Sequence, residues 1–205
     1  SLAGLQTLSP AAAAELAAFP GEALFLGVRE LSEAAFRSLM KFRRRLYLPR
    51  LAGIPAGAAE SMADYRGPGL SILGLATLST EEARVLAGLG NRWNGRLPNV
   101  KNLSSETAAV LAGLNGVKKG VHAQGPFLPP KVVRLEFDGA TLSADTVREL
   151  VGFPGVLLLR GMTQTVLSDD MLAALAEYNG AGLELGGLTA VSPALAKRLA
   201  TTFAA

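Results

Sequence analysis

The chain has no cysteine, and among its 205 residues there is a single histidine, His122. The first absence excludes disulfides and thiolate chemistry. The second removes most acid–base triads and leaves too few ligands for a histidine-based zinc centre. His122 itself stands in a Gly/Pro-rich stretch without an acid to orient it, which argues against a catalytic role. No apolar run reaches the roughly 18 residues that a spanning helix needs, so no membrane span is expected. The start, SLAGLQTLSP, lacks the charged n-region and cleavage site of a secretory signal; the cytoplasm is favoured, although the compartment stays open. Asp169 and Asp170 are adjacent carboxylates, but they follow Ser168 into what reads as the first turn of a helix, where acids complement the dipole. GLNGVKKG, Gly113 to Gly120, lacks the Lys-Ser/Thr ending of a phosphate loop and the strand before it. The expectation is therefore of a non-enzyme, with no catalytic residue, metal site or cofactor.

What the sequence has in abundance is leucine, alanine and internal repetition. The clearest copy is LELGGLTAVSPALAKRLA, Leu183 to Ala200. Leu183 and Leu185 alternate with Glu184 and Gly186, the period of a strand. Gly187 permits a tight turn. Ser192 is a preferred N-cap, and Pro193 suits the first helical position. Ala196, Leu199 and Ala200 then line one helix face. Equivalent caps are Ser9, Ser32, Pro55, Ser79, Ser104, Ser143, Ser168 and Ser192, which by subtraction lie 23, 23, 24, 25, 39, 25 and 24 residues apart. Seven residues past each cap stands Leu or Met; ten residues past stands Phe19, Phe42, Tyr65, Leu89, Leu114, Phe153 or Tyr178. Twelve residues past stands Gly21, Gly67, Gly116, Gly155 or Gly180, read as the left-handed end of a helix.

A unit of one strand and about two helical turns cannot bury its own apolar face. Stacked copies can, each touching mainly its neighbours. The fold class expected is α/β: a repeat solenoid of about eight units of 23–25 residues, with a parallel sheet on one face and short helices on the other. Residues 1–205 would form one domain, cut from a longer protein, since the first unit has no room for a strand and LATTFAA ends without a polar cap. The pattern L-x-L-x-G-L-x-x-L-S followed by an Ala-rich helix resembles a divergent bacterial leucine-rich repeat family. That resemblance implies a curved, leucine-rich-repeat-like solenoid acting as a scaffold. The asparagine ladder of standard members is absent, with Leu75 or Leu188 in its place.

Charge is distributed unevenly. Residues 83–134 hold eight Lys or Arg against one acid, Glu106, whereas residues 135–205 hold four basic and eight acidic residues. The step of 39 falls in the basic part, where NGVKKGVHAQGPFLPPK, residues 115–131, reads as a loop insertion with a mobile tip and an anchored end at Phe127 and Leu128. A second basic run, Lys41, Arg43, Arg44, Arg45 and Arg50, follows a helix, where cations also suit the dipole.

With no chemistry of its own, the chain reads as a non-catalytic protein–protein interaction scaffold. Its partner would be another protein, or flanking domains of the same one, held on the outward strand face. Candidate partner-binding residues are Leu24, Leu26, Tyr47, Leu73, Arg96, Glu136, Asp138, Arg160 and Glu184. The alternative is nucleic-acid or acidic-surface binding through a basic patch of Arg92, Lys101, Lys118, Lys119, Lys131 and Arg134, with Arg96 beside them.

Overall fold

A computed structural model describes residues 1–114, 134–161 and 168–187, together with 193, 196 and 197. The fold is α/β, with helices α1 (Pro10–Ala17), α2 (Glu33–Leu39), α3 (Thr80–Leu89), α4 (Ser105–Ala112), α5 (Ala144–Leu150) and α6 (Asp169–Leu175). Alternating with them are strands β1 (Ala23–Phe25), β2 (Arg45–Tyr47), β3 (Leu70–Ser71), β4 (Arg96–Leu97), β5 (Arg134–Asp138), β6 (Val156–Arg160) and β7 (Gly182–Leu185). The strands form two small sheets, β1-β2-β3 and β4-β5-β6-β7, in chain order and parallel throughout. Helices adjacent in the chain also pack on one another, α2 and α3 through the 3-10 helix between them, and a continuous apolar core joins them to the strands.

Six of the serines cap as their spacing predicts, and Ser192 lies outside the described residues. Backbone N–H groups of Ala12, Ala35, Glu82, Thr107, Thr146 and Met171 donate to the hydroxyls of Ser9, Ser32, Ser79, Ser104, Ser143 and Ser168 at 3.1–3.3 Å. At Ser79 the bond is reciprocated, with Glu82 accepting from the Ser79 N–H at 2.7 Å, a complete capping box. The third unit departs from the others. Pro55 offers no side-chain oxygen, and the chain there forms a 3-10 helix, Ala59–Asp64, without a side-chain cap. Met62 and Tyr65 remain fully buried even so.

Two of the residues ten past a cap, Tyr65 and Tyr178, show how one unit grips the one before it. The Tyr65 hydroxyl lies 2.5 Å from the Arg44 carbonyl and 2.6 Å from that of Gly69, and Tyr178 donates to Gly155 at 2.5 Å. Both rings are fully buried, and burial raises both phenol pKa values, that of Tyr178 to about 12. The glycines two residues later are not left-handed, contrary to expectation: none of Gly21, Gly67 and Gly180 has positive φ. Space selects them instead. A Cβ on Gly67 would fall on the Arg44 carbonyl oxygen and the Tyr65 hydroxyl, and one on Gly180 on the Tyr178 hydroxyl and, at 2.5 Å, the Phe153 carbonyl oxygen.

Strand register corrects the expected facing of β1. Leu24 pairs with Leu46, and Leu46 with Leu70. Leu24 and Leu26 are therefore buried, 4% and 0% exposed, and are not outward residues. Leu24 precedes its cap by eight residues whereas Leu46 precedes Pro55 by nine, so counting back from the cap slips β1 by one. A slip of one residue exchanges the two faces of a strand. Where the sheets meet, Trp93 takes the register of Leu70 through an isolated parallel bridge, while Leu97 aligns with Phe137. Gly95, at φ 69°, lies between them, and its missing side chain leaves room for the Arg134 carbonyl. The 115–131 insertion, with its expected mobile tip and anchored end, and most of the last helix lie outside the described residues.

Candidate functional site

The inward residues of each strand enter the core, so function falls to the outward row. Phe25, Tyr47 and Ser71 stand side by side in register. The rings of Phe25 and Tyr47 stack with centroids 4.1 Å apart and planes 2° from parallel. Phe25 is 41% exposed, a large apolar side chain facing water on a sheet. Ser71 is nearly buried and accepts a 2.8 Å hydrogen bond from Asn94 Nδ2. Leu73 is half-buried, and its carbonyl accepts from Asn99 at 2.8 Å. Phe25 was not among the candidates. The alternation Leu24-x-Leu26-x-Val28, all three buried, points it outward.

The second sheet carries a ladder of alternating charge. Arg96 makes a two-point contact with Glu136, Nε–Oε2 at 2.9 Å and Nη2–Oε1 at 3.2 Å. Arg160 does the same with Glu184, at 2.9 and 3.2 Å, and its Nη1 lies 3.6 Å from Glu136. In register, Leu158 lies between Glu136 and Glu184, so Arg160 spans the row above it; Leu158 is 3% exposed although it belongs to the outward row. The hydrogen bonds from Arg160 hold the Glu184 carboxyl below the usual range, with the positive charge of Arg134 adding to the effect; the same pairing raises Arg160. Glu184 is solvent-exposed, so the pair fixes side-chain position more than it stabilises the fold. Asp138 is exposed at the end of β5.

The structure thus groups Tyr47 with Phe25 at one end of the outward row, and Arg96, Glu136, Arg160 and Glu184 at the other. Among the described residues the proposed basic patch does not gather in the same way. Arg92 donates to the carbonyls of Tyr65 at 2.5 Å and Leu89 at 3.3 Å. Lys101 donates to the carbonyl of Asp138 at 2.8 Å. Both cations tie one unit to another. Arg134 is exposed beside the ladder, and Lys118, Lys119 and Lys131 lie outside the described residues. Among the described residues no group of three or more His, Cys, Asp or Glu could hold a metal ion.

No family model matches the chain, and no solved structure matches it. Over 117 residues it is 32% identical to a mouse (Mus musculus) protein named solute carrier family 25 member 43, a match covering 52% of this chain and 33% of that protein. The chain therefore spans about a third of the length of the curated relative it matches. This finding overturns the expected kinship with a bacterial leucine-rich repeat family: the similarity runs to a mouse solute carrier. Leucines at strand period, a turn glycine and a serine cap are what any strand-turn-helix unit requires, so the pattern reports local physics and not descent. No helix among the described residues is long and apolar enough to cross a membrane.

Proposed function

We propose that this chain is a non-catalytic protein–protein interaction module whose strand–helix units stack as a single repeat solenoid and whose outward strand row receives the partner. The partner is another protein, or a flanking segment of the same polypeptide. One observation carries this reading: a stacked aromatic pair, exposed Phe25 and half-buried Tyr47, stands on the same sheet face as a pre-set ladder of Arg and Glu. Exposed apolar groups rimmed by polar ones mark interaction surfaces, and aromatic side chains and arginine dominate their energetics. The ladder supports the reading because two-point Arg–carboxylate pairs hold both side chains in place before a partner arrives, which lowers the entropy lost on binding.

The rival, nucleic-acid binding through the basic middle, is weakened by the engagement of Arg92 and Lys101 with backbone carbonyls. To test the leading reading, peptides are selected from a display library on the immobilised chain, and their affinities are measured against Phe25→Ser and Tyr47→Ser. Each substitution is expected to weaken binding about tenfold or more, the effect of losing a hot spot of roughly 1.4 kcal/mol or more, while thermal unfolding stays the same. Undiminished binding by both variants would count against the outward row.

A further inference from the structure

The outward row does not end at Tyr47. Arg45 lies two residues before it on β2, hence on the same face and roughly 7 Å away along the strand. Arg45 opens onto a run of cations, Lys41, Arg43 and Arg44, all exposed, with Arg66 arriving from the next unit. Among the described residues none of these five side chains has an ion pair, whereas Arg37, Arg96, Arg148 and Arg160 all do. One acid approaches: Glu22 lines a shallow groove of about 220 Å³ together with Arg44, Arg45 and Pro68. The backbone beneath is hydrogen-bonded in place. Arg45 N–H donates to the main-chain carbonyl of Glu22 at 3.2 Å, and the Arg44 carbonyl accepts from the buried Tyr65. A cluster of like charges on a fixed strand end repels itself and attracts anions. Its backbone being held already, ordering it around a ligand costs less.

We infer that the Arg43–Arg45 edge and the Phe25–Tyr47 stack together receive an acidic, extended peptide segment that bears one large apolar residue. The apolar residue sits on the aromatic pair, and carboxylates about two residues away meet Arg45, Arg44 and Arg43. This rests on the outward row being an interaction face and names the chemistry of its partner. Two observations favour a short acidic peptide over a nucleic acid strand. The aromatic rings face each other at 4.1 Å, so no base can stack between them. A long polyanion running on across the sheets would then meet Glu136, Asp138 and Glu184.

The test is fluorescence polarisation of the whole chain with three short labelled probes: a Glu/Asp peptide around a central Leu, the same peptide with Gln and Asn in place of the acids, and oligo(dT). The variants are Arg43→Gln/Arg44→Gln/Arg45→Gln and Phe25→Ser, with circular dichroism confirming their folds. The acidic peptide should bind about tenfold or more tightly than the neutral one, and each variant should weaken it about tenfold. Salt should weaken it as well. Oligo(dT) binding as tightly as the acidic peptide, or no acidic-peptide binding up to about 1 mM, overturns the inference. An unaffected arginine variant beside an impaired Phe25→Ser overturns it too, and leaves the outward-row reading standing. The reverse pattern, with Phe25→Ser unaffected, overturns both.

Discussion

Substituting Gly67 by alanine tests how the units are joined. Its new methyl group would clash with the Arg44 carbonyl oxygen and the Tyr65 hydroxyl and lie 2.5 Å from the ring Cζ. None of these can yield freely: the carbonyl precedes β2, and Tyr65 is 0% exposed, its hydroxyl shared between Arg44 and Gly69. Overpacking of this kind costs about 1–3 kcal/mol. Displacing the hydroxyl from its acceptors adds about 0.5–1.5 kcal/mol. Reduced freedom of the unfolded chain returns about 0.4–1 kcal/mol. The net expectation is a loss of about 0.5–4 kcal/mol, a fall in Tm of roughly 1–16 °C for a chain of this size. Gly69→Ala is the control two residues away, since its Cβ would meet only Arg45 Cγ at 3.6 Å, an ordinary contact. Gly53→Ala is a second control, with nothing within 4 Å. Urea unfolding of the three variants at constant m-value gives the comparison. If Gly67→Ala matched the two controls, glycine at this position would not be required by the tyrosine and carbonyl packed against it.

The buried tyrosines give a pH signature. Their folded pKa values are raised above the unfolded value near 10, so their contribution is complete below about pH 10 and is lost as pH rises toward about 12, the value for Tyr178. Tyr178→Phe should remove the late tyrosinate absorbance step and flatten the fall of stability in that window, while losing about 0.5–1.5 kcal/mol at neutral pH with its hydrogen bond to Gly155. In the ladder, the Glu184 carboxyl should titrate by NMR below the ordinary glutamate range and return toward it in Arg160→Gln. Because its folded pKa is depressed, whatever stability the pair lends is present above the unfolded glutamate value and lost as pH falls through the folded one. An unchanged Glu184 titration in that variant would contradict the pairing.

The α/β class, the parallel order and the serine caps could all be read from residue spacing, because each depends on local chemistry: hydroxyls that cap, leucines that alternate, glycines that turn. The facing of β1 could not be read from the cap, because the turn between strand and cap varies by a residue, and only pairing with Leu46 and Leu70 fixes which leucines go inward. Gly67 and Gly180 were recognisable as a recurrent position of the repeat but not for their reason, which lies in a tyrosine and a carbonyl from the preceding unit. Arg92 and Lys101 looked like free surface charge; their acceptors are carbonyls 27 and 37 residues distant. At Arg160 and Glu184 the alternation placed both side chains outward, and the structure adds their mutual pairing.

The most direct test of the interaction face is hydroxyl-radical footprinting of the chain with and without a selected peptide. Phe19 and Phe25 are nearly equal in exposure, 44% and 41%, but only Phe25 stands in the outward strand row. Binding on that row should shield Phe25 and Tyr47 from oxidation and leave Phe19 as reactive as before. Shielding of Phe19 with Phe25 and Tyr47 unprotected would contradict the account and move the interface away from the strands.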